Sequence, residues 1–322
     1  MKLENKVNIA QSLLMVRPKD FGPNPETAST NAFQSRDIKN VQNIDLQAII
    51  EFNEMINVLD QHSIEVVIID DTDSPIKPDA IFPNNWMSTH PDGTVILYAM
   101  MAKNRRYERR TDIITLLQKM YVINDIYDLS HHESSNQFLE GTGSIVFDHA
   151  NKTAFAAISE RTHPQIFIEC CNTLNYEPIT FRAYHEDGLP IYHTNVLMHI
   201  SPVISAICLE LIHQDDRKKV MDALHQNQLL HLTSQQVHDF AGNMLCVLND
   251  QQLPHLIGSE RAFSSLDSNQ LDMIQDSCIP VEVCIQDSCI PVEVCIPTIE
   301  YIGGGSARCM MTELYLPEQN NR

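Results

Sequence analysis

Gly303-Gly304-Gly305-Ser306-Ala307-Arg308-Cys309-Met310 is the stretch on which the reading of this chain turns. Three consecutive glycines let the backbone take positive φ and come close to a ligand, which a residue with a Cβ does only at a cost. Four residues after the last glycine stands a cysteine beside an arginine. Cysteine attacks as the thiolate, and a neighbouring cation lowers its pKa, so this is the setting expected of a nucleophile. A buried structural cysteine after a glycine turn is the plainer alternative in a chain with nine cysteines. Its partners elsewhere in the chain decide between the two.

Working back from Cys309, the first partner is His193, in Ile191-Tyr192-His193-Thr194-Asn195, where polar residues interrupt an apolar run. Histidine is the side chain best suited to proton transfer near neutrality. Glu140, in Leu139-Glu140-Gly141-Thr142-Gly143-Ser144, is an acid followed by small residues and can point into a cleft. Arg161, in Ser159-Glu160-Arg161-Thr162, offers a planar donor fork that suits a carboxylate. Asp79-Ala80-Ile81-Phe82-Pro83-Asn84-Asn85-Trp86 sets the only tryptophan beside two amides.

Composition narrows the classes. The 322 residues are 43% hydrophobic and 20% charged, an ordinary globular balance. Forty-two acidic against 22 basic residues give a net charge of −20, which disfavours nucleic acid and anionic membranes as partners. No apolar run approaches the roughly 20 residues that span a bilayer. The polar start, Met1 to Gln11, lacks the basic-then-apolar pattern of a secretory signal. An odd number of cysteines without a regular framework reads as reduced thiols, and a cytoplasmic protein is the expectation. No Cys-x-x-Cys or His-x-x-x-His pair is present to close on zinc, so no metal is expected.

Short apolar, β-branched runs at 13–16, 66–69, 94–97, 144–147, 153–158, 191–200, 244–248 and 312–316 read as strands. Helix-like stretches lie at 46–61, 106–120, 164–174, 215–224 and 267–274. The first carries a one-sided apolar stripe of Ile49, Ile50, Phe52, Met55, Ile56 and Leu59. Strands and helices alternate about five times with no clear linker, which favours one α/β unit of repeated modules over residues 1–322. The turn-rich loop from Pro18 to Pro25 is of the kind that covers sites. Residues 274–284, IQDSCIPVEVC, recur letter for letter at 285–295. An identical tandem copy reads as a local duplication or a copying error, not an architectural repeat. One copy, with Ile279, Val281 and Val283 alternating, makes a strand before the glycine run; the other is expected to loop out or add an edge strand.

Taken together, these motifs resemble the guanidino-group-modifying enzymes: arginine deiminase, agmatine deiminase, dimethylarginine dimethylaminohydrolase and the amidinotransferases. The glycine run with Cys309 is similar to their nucleophile segment, His193-Thr194-Asn195 to their His-x-Asp, Glu140-Gly141 to their acidic-Gly-Gly, and Ser159 to Thr162 to their Ser-Glu/Lys-Arg-Thr. Phe82 to Asn85 stands where the family has Phe-x-x-Asp. The resemblance is nearest to the arginine-deiminase-related branch of citrulline-utilisation hydrolases, which shares Met15-Val16-Arg17-Pro18, Thr27-Ala28, Asn31-x-Phe33-Gln34 and Phe82-Pro83-Asn84-Asn85-Trp86. It implies a pentein, a single domain of five ββαβ modules about a pseudo-fivefold axis with the site in the central channel. It implies Cys309 as nucleophile, His193 as acid and base, Glu140 as its holder, and no cofactor. Asp79, Asn84, Asn85, Asn195, Arg161 and Arg17 become the substrate-binding candidates, with Arg161 on the α-carboxylate of a small amino-acid substrate. A homo-oligomer is compatible with this picture.

The departure is at Asn85 and Asn195, where deiminases place carboxylates that grip a cationic guanidinium. An amide cannot neutralise a buried cation, but it donates to a urea oxygen and accepts from a urea N–H₂. The two amides favour hydrolysis of citrulline to ornithine, carbon dioxide and ammonia. If Asp79 supplies the missing charge, an arginine deiminase reaction or amidino transfer is the alternative.

Overall fold

The computed structural model describes residues 9–35, 42–202, 204–224, 228–275 and 289–319. β1 (Ser12–Arg17) pairs in parallel with β2 (Glu65–Asp70) across the helix Ile44–Gln61. Four further sheets repeat one pattern, an antiparallel pair followed by a helical crossover to a parallel third strand. They are β3 (Met87–Thr89), β4 (Thr94–Leu97) and β5 (Asp125–Asp128); then β6 (Val146–Asp148), β7 (Thr153–Ala157) and β8 (Glu177–Phe181). Next come β9 (Met198–Ile200), β10 (Ile204–Ile207) and β11 (Gln228–His231), and last β12 (Leu245–Leu248), β13 (Pro254–Ser259) and β14 (Ile290–Val294). β15 (Thr312–Leu314) returns to β1 and pairs antiparallel, Ser12 opposite Leu314. Among the described residues the result is α/β, with five three-stranded sheets.

The pattern follows from pairing geometry. An antiparallel pair closes through a short turn such as His90-Pro91-Asp92-Gly93, whereas a parallel neighbour requires a crossover, here a helix. Helices Thr111–Met120, Pro164–Leu174 and Gln214–Ala223 serve the second, third and fourth sheets. The helix Ile44–Gln61 buries Ala48, Phe52, Met55 and Leu59, spaced three or four apart, while Ile50 is exposed. Phe52, Leu13, Met15, Val292 and Ile302 share one buried cluster with Ala307, Cys309 and Met310, so the cysteine turn is seated on core.

Several expected elements shift. The run 144–147 begins as the last turn of a helix, Gly141–Ser144, before β6. The run 191–200 is not one strand: a tight helical turn, Thr194–Val196, precedes β9 and lifts His193 out of any ladder. The stretch 106–120 divides into a turn, Asn104–Glu108, and the helix Thr111–Met120. Of the duplicated segment, the second copy forms β14, with Val292 and Val294 buried. Ile279, Val281 and Val283 of the first copy lie outside the described residues. Among the described residues no helix is long and apolar enough to cross a membrane.

One contact fixes the segment that leads into the glycine run. Buried Glu51 accepts from the backbone N–H of Thr298 at 2.9 Å and of Ile299 at 3.0 Å, at the start of the helix Pro297–Gly303. Charged acceptors suit the orphan donors and dipole of a helix N-terminus. Replacing Glu51 by Ala leaves the buried Ile299 N–H and the part-buried Thr298 N–H without this acceptor, which costs about 2 kcal/mol. Urea denaturation of Glu51→Ala should show that loss, and Glu51→Gln, which keeps one acceptor, a smaller one.

Candidate active site

Ser144 explains why motifs far apart in sequence converge. Its hydroxyl donates to the Arg161 carbonyl at 2.9 Å and accepts from the Glu140 N–H at 3.0 Å and the Thr162 hydroxyl at 2.8 Å. Its carbonyl accepts from the Thr194 hydroxyl at 2.6 Å. Three segments are thereby locked around one residue. Gly143 completes the packing, since a Cβ there would stand 2.6 Å from Asn85 Nδ2 and 2.7 Å from the His193 ring.

The segments surround a narrow pocket of about 20 Å³ lined by Thr27, Asn31, Asp79, Phe82, Asn85, Arg105, Arg161, Tyr192, His193, Gly303, Gly305 and Cys309. Glu140 lies behind it, fully buried. His193 Nε2 donates to Glu140 Oε2 at 2.8 Å, and the Met101 N–H donates to Glu140 Oε1 at 3.1 Å. Arg161 Nη1 approaches Glu140 Oε2 at 3.5 Å and Arg105 Nη1 at 4.0 Å. Burial works to raise the Glu140 pKa, but Arg161, the hydrogen bond from His193 and Arg105 outweigh it and hold it at about 2. Burial lowers His193 to about 4 against the pull of Glu140, so the imidazole is neutral at pH 7.

Arg161 spends much of its fork on the loop after β1. Nε donates to the Thr30 hydroxyl at 3.0 Å, and Nη2 to the Thr27 carbonyl at 3.0 Å and again to Thr30 at 2.6 Å. The loop expected to cover the site, Pro18 to Pro25, touches it through Asn24, which donates to Asp79, and the chain just beyond it supplies Thr27 and Thr30. It also pins the glycine run: Asn31 Nδ2 donates to the Gly303 carbonyl at 3.1 Å. Gly304 sits at φ 63, and a Cβ there would meet the Gln34 N at 2.5 Å. On the far side the Tyr192 hydroxyl donates to the Gly304 carbonyl at 2.6 Å.

The other candidates divide. Asn85 lines the cavity, accepting from Arg105 Nη1 at 2.8 Å and donating to Asn84 Oδ1 at 2.9 Å. Asp79 lines it too, its Oδ2 taking a 2.7 Å bond from Asn24; burial raises its pKa against the opposing pull of Arg105 and Asn24. Asn195 is absent from the lining and faces the cysteine instead, with Nδ2 3.6 Å from Cys309 Sγ. Asn84 stands behind Asn85. Arg17 is outside the pocket, half-exposed and bound to Asp70 at 2.5 Å and to Asn53. Arg308 also departs from its expected part. Its guanidinium pairs with Glu313 at 2.6 Å and with the Met311 carbonyl, and burial pushes the Cys309 thiol up despite it.

Arg105, Glu108 and Asn243 stand outside the site candidates that the sequence offers. Glu108 grips Arg105 with both oxygens at 2.9 Å, and burial pushes it up to about 7. Within Arg105-Arg106-Tyr107-Glu108-Arg109-Arg110 such charges look solvated; only the i, i+3 spacing of Arg105 and Glu108 hinted at a pair. Asn243 is fully buried, with Nδ2 3.3 Å from Cys309 Sγ. Its Gly-Asn step before a strand looks like an ordinary turn. One described group with metal-ligand potential, His131, His132 and Glu169, contributes nothing to the pocket lining.

A neutral imidazole, a protonated thiol and an ionised carboxylate form a set that stores one transferable proton on sulfur. The family model described as N,N dimethylarginine dimethylhydrolase, eukaryotic, matches residues 17–316. No curated protein sequence matches the chain. Among solved structures, the chain is similar to the substrate-bound N-terminal domain of ArgZ, an arginine dihydrolase from the ornithine–ammonia cycle in cyanobacteria. Identity is 14% and the TM-score 0.72, over 95% of this chain and 98% of that one. AgrE in complex with ornithine and NAD+ gives 14% identity and 0.72, over 96% of this chain and 40% of AgrE. A dimethylarginine dimethylaminohydrolase adduct with 4-chloro-2-hydroxymethylpyridine gives 10% and 0.63, over 95% and 100%. At these identities the likeness is one of fold.

The charge states make a pH prediction. His193 ordinarily titrates near 6.5 and is held to about 4, so its contribution is present above 6.5 and lost as pH falls through 4. Glu140, ordinarily 4.5, is held to about 2, so its contribution is present above 4.5 and lost as pH falls through 2. Urea midpoints should decline from pH 7 toward acid. The decline between 6.5 and 4 should be shallower in His193→Gln, and that below 4.5 shallower in Glu140→Gln. Parallel curves in the three proteins would remove these groups from the acid response.

Proposed function

Because the chain belongs to the family described as N,N dimethylarginine dimethylhydrolase, eukaryotic, we propose that it is a cofactor-independent cysteine hydrolase. The bond cleaved is a C–N bond at the planar guanidino or ureido carbon of a free amino acid. The observation that carries this reading is the convergence of Cys309, His193 and the Glu140 carboxylate on one pocket. On the same reading the five sheets are the five ββαβ modules of a pentein, arranged as blades about a pseudo-fivefold axis within one domain. The pocket then occupies its central channel.

Bound substrate brings the trigonal carbon to Cys309. The thiol gives its proton to the neutral imidazole of His193, which Glu140 stabilises as imidazolium, and sulfur adds to the carbon. The C–N bond breaks as His193 protonates the leaving nitrogen. Water, deprotonated by the now neutral His193, then adds to the carbon and releases sulfur. With citrulline the first leaving group is ornithine, and the thiocarbamate left on Cys309 yields carbamic acid, which decomposes to carbon dioxide and ammonia. With arginine the first leaving group is ammonia, and the thiouronium yields citrulline. Arg161 is our candidate for the α-carboxylate, which would take over the contacts that Thr27 and Thr30 now make.

Asn85 favours the ureido substrate, since its amide can serve both the oxygen and the N–H₂ of a urea. A specific observation favours the second reading. Asp79 is a carboxyl group in the same lining, and when ionised it can pair with a guanidinium. Products separate the two. Purified protein should be incubated with citrulline, arginine, N,N-dimethylarginine and agmatine, and the amines and ammonia quantified. Ornithine from citrulline supports the first reading, citrulline from arginine or dimethylarginine the second. Strict dependence on an added amine acceptor would instead make it an amidino- or carbamoyl-transferase. In each case Cys309→Ser should lower turnover by about 10³-fold or more, because serine is a far weaker nucleophile at its ordinary pKa.

A narrower prediction concerns Asn85 alone. Asn85→Asp keeps the shape, replaces an amide by an acceptor, and retains the bond from Arg105. KM for citrulline should rise and KM for arginine should fall, each by about tenfold, the worth of one charged hydrogen bond. If the ratio of the two KM values stays fixed, Asn85 does not read substrate charge.

A further inference from the structure

Among the described residues, the side chains bonded to Cys309 Sγ are amides and not cations. Arg308 turns away to Glu313, and the groups that share the pocket lining with the sulfur are His193, Tyr192, Asp79, Arg105 and Arg161. Two carboxamides face the sulfur instead. Asn243 offers Nδ2 at 3.3 Å and Oδ1 at 3.6 Å, and Asn195 offers the same two atoms at 3.6 and 3.8 Å. Asn243 Nδ2 also donates to the Asn195 carbonyl at 2.9 Å, which ties the turn before β12 to the turn that carries His193. Both asparagines are almost fully buried, at 0% and 1% exposed, and neither is in the pocket lining.

We infer that Asn243 is a further catalytic residue, one that touches the reacting atom and not the substrate. Its amide accepts the S–H while the pocket is empty and donates N–H to the sulfur once the proton has left. An amide does both; a carboxylate does only the first. Asn195 assists from the neighbouring turn at longer range. Of the influences that offset burial of the thiol, the hydrogen bond to Asn243 is the largest, followed by the backbone of Ser306, Arg308 and Asn195. The two amides thus do for this thiolate what a neighbouring cation does elsewhere. They add no charge to the site and leave the pocket face of the sulfur open to a trigonal carbon.

The inference rests on Cys309 being the nucleophile, but its test needs no substrate. The rate at which iodoacetamide alkylates Cys309 is followed by peptide mass spectrometry from pH 6 to 11 in the wild type, Asn243→Asp and Asn243→Ser. In Asn243→Asp the apparent pKa of the thiol should rise by about one unit or more, and alkylation below it should slow about tenfold. Asn243→Ser, which keeps a small donor in the same space, should shift less and serves if the aspartate variant does not fold. For substrates that the wild type turns over, kcat should fall while KM stays within about twofold. An unchanged alkylation pKa in a folded Asn243→Asp protein overturns the inference. So does a shift equally large in Asn243→Ser, which would indicate general loosening. If the pKa shifts as expected but the wild type cleaves no guanidino or ureido compound, the role of Asn243 stands and the proposed reaction falls.

Discussion

Glu140 carries a negative charge in a place where water cannot reach it, and the organisation of the site follows from that. An isolated carboxylate so deep would take up a proton. Here the backbone of Met101, the ring of His193 and two guanidinium groups surround it, and it remains ionised. Each partner brings in another stretch of chain. Arg161 draws in Thr27 and Thr30, Arg105 draws in Glu108 and Asn85, and His193 brings the turn that bears Asn195. Buried ion networks of this kind add little net stability but fix geometry strictly, because removing one member strands the others. The network behaves as an electrostatic scaffold behind a neutral imidazole and the pocket it lines.

Much of the site is legible in the sequence because its chemistry resides in short motifs. Cys309 after three glycines, His193, Glu140 before Gly141, and Arg161 all come to one place. What the sequence could not convey is orientation. Asn195 and Asn85 look equivalent as two amides in two motifs, yet one faces the pocket and the other the sulfur. Arg308 is adjacent to Cys309 in the chain, but in a tight helical turn neighbouring side chains diverge, and its partner is Glu313. Asn243 carries no local signal at all; its contact with sulfur exists only once β12 packs beside the His193 turn.

The fold was uneven in the same way. β1, β4 and β7 hold nearly continuous apolar runs because successive residues, which point to opposite faces, are buried, and such runs are visible. β5, Asp125–Asp128, has four exposed residues, and β11 buries only Leu230, so neither shows an apolar signature. As edge strands they are specified by the crossover helix and by backbone pairing more than by side chains. The helices Ile44–Gln61 and Pro164–Leu174 were clear because a buried stripe at helical spacing is a local property.

The pairing of β15 with β1 joins the first described strand to the last, across nearly the whole chain. A nascent polypeptide emerging from a ribosome has β1 and β2 available early but lacks the antiparallel neighbour until residue 314 has cleared the exit tunnel. The cysteine turn, three residues upstream of that neighbour, is seated at the same late moment. The amides of Asn195 and Asn243 therefore meet the Cys309 sulfur only as the first sheet is completed, and until then the thiol is open to solvent. It also has a high contact order, so its assembly is expected to be slow beside that of a helical bundle of equal length. Burial of the cysteine and completion of the fold thereby coincide.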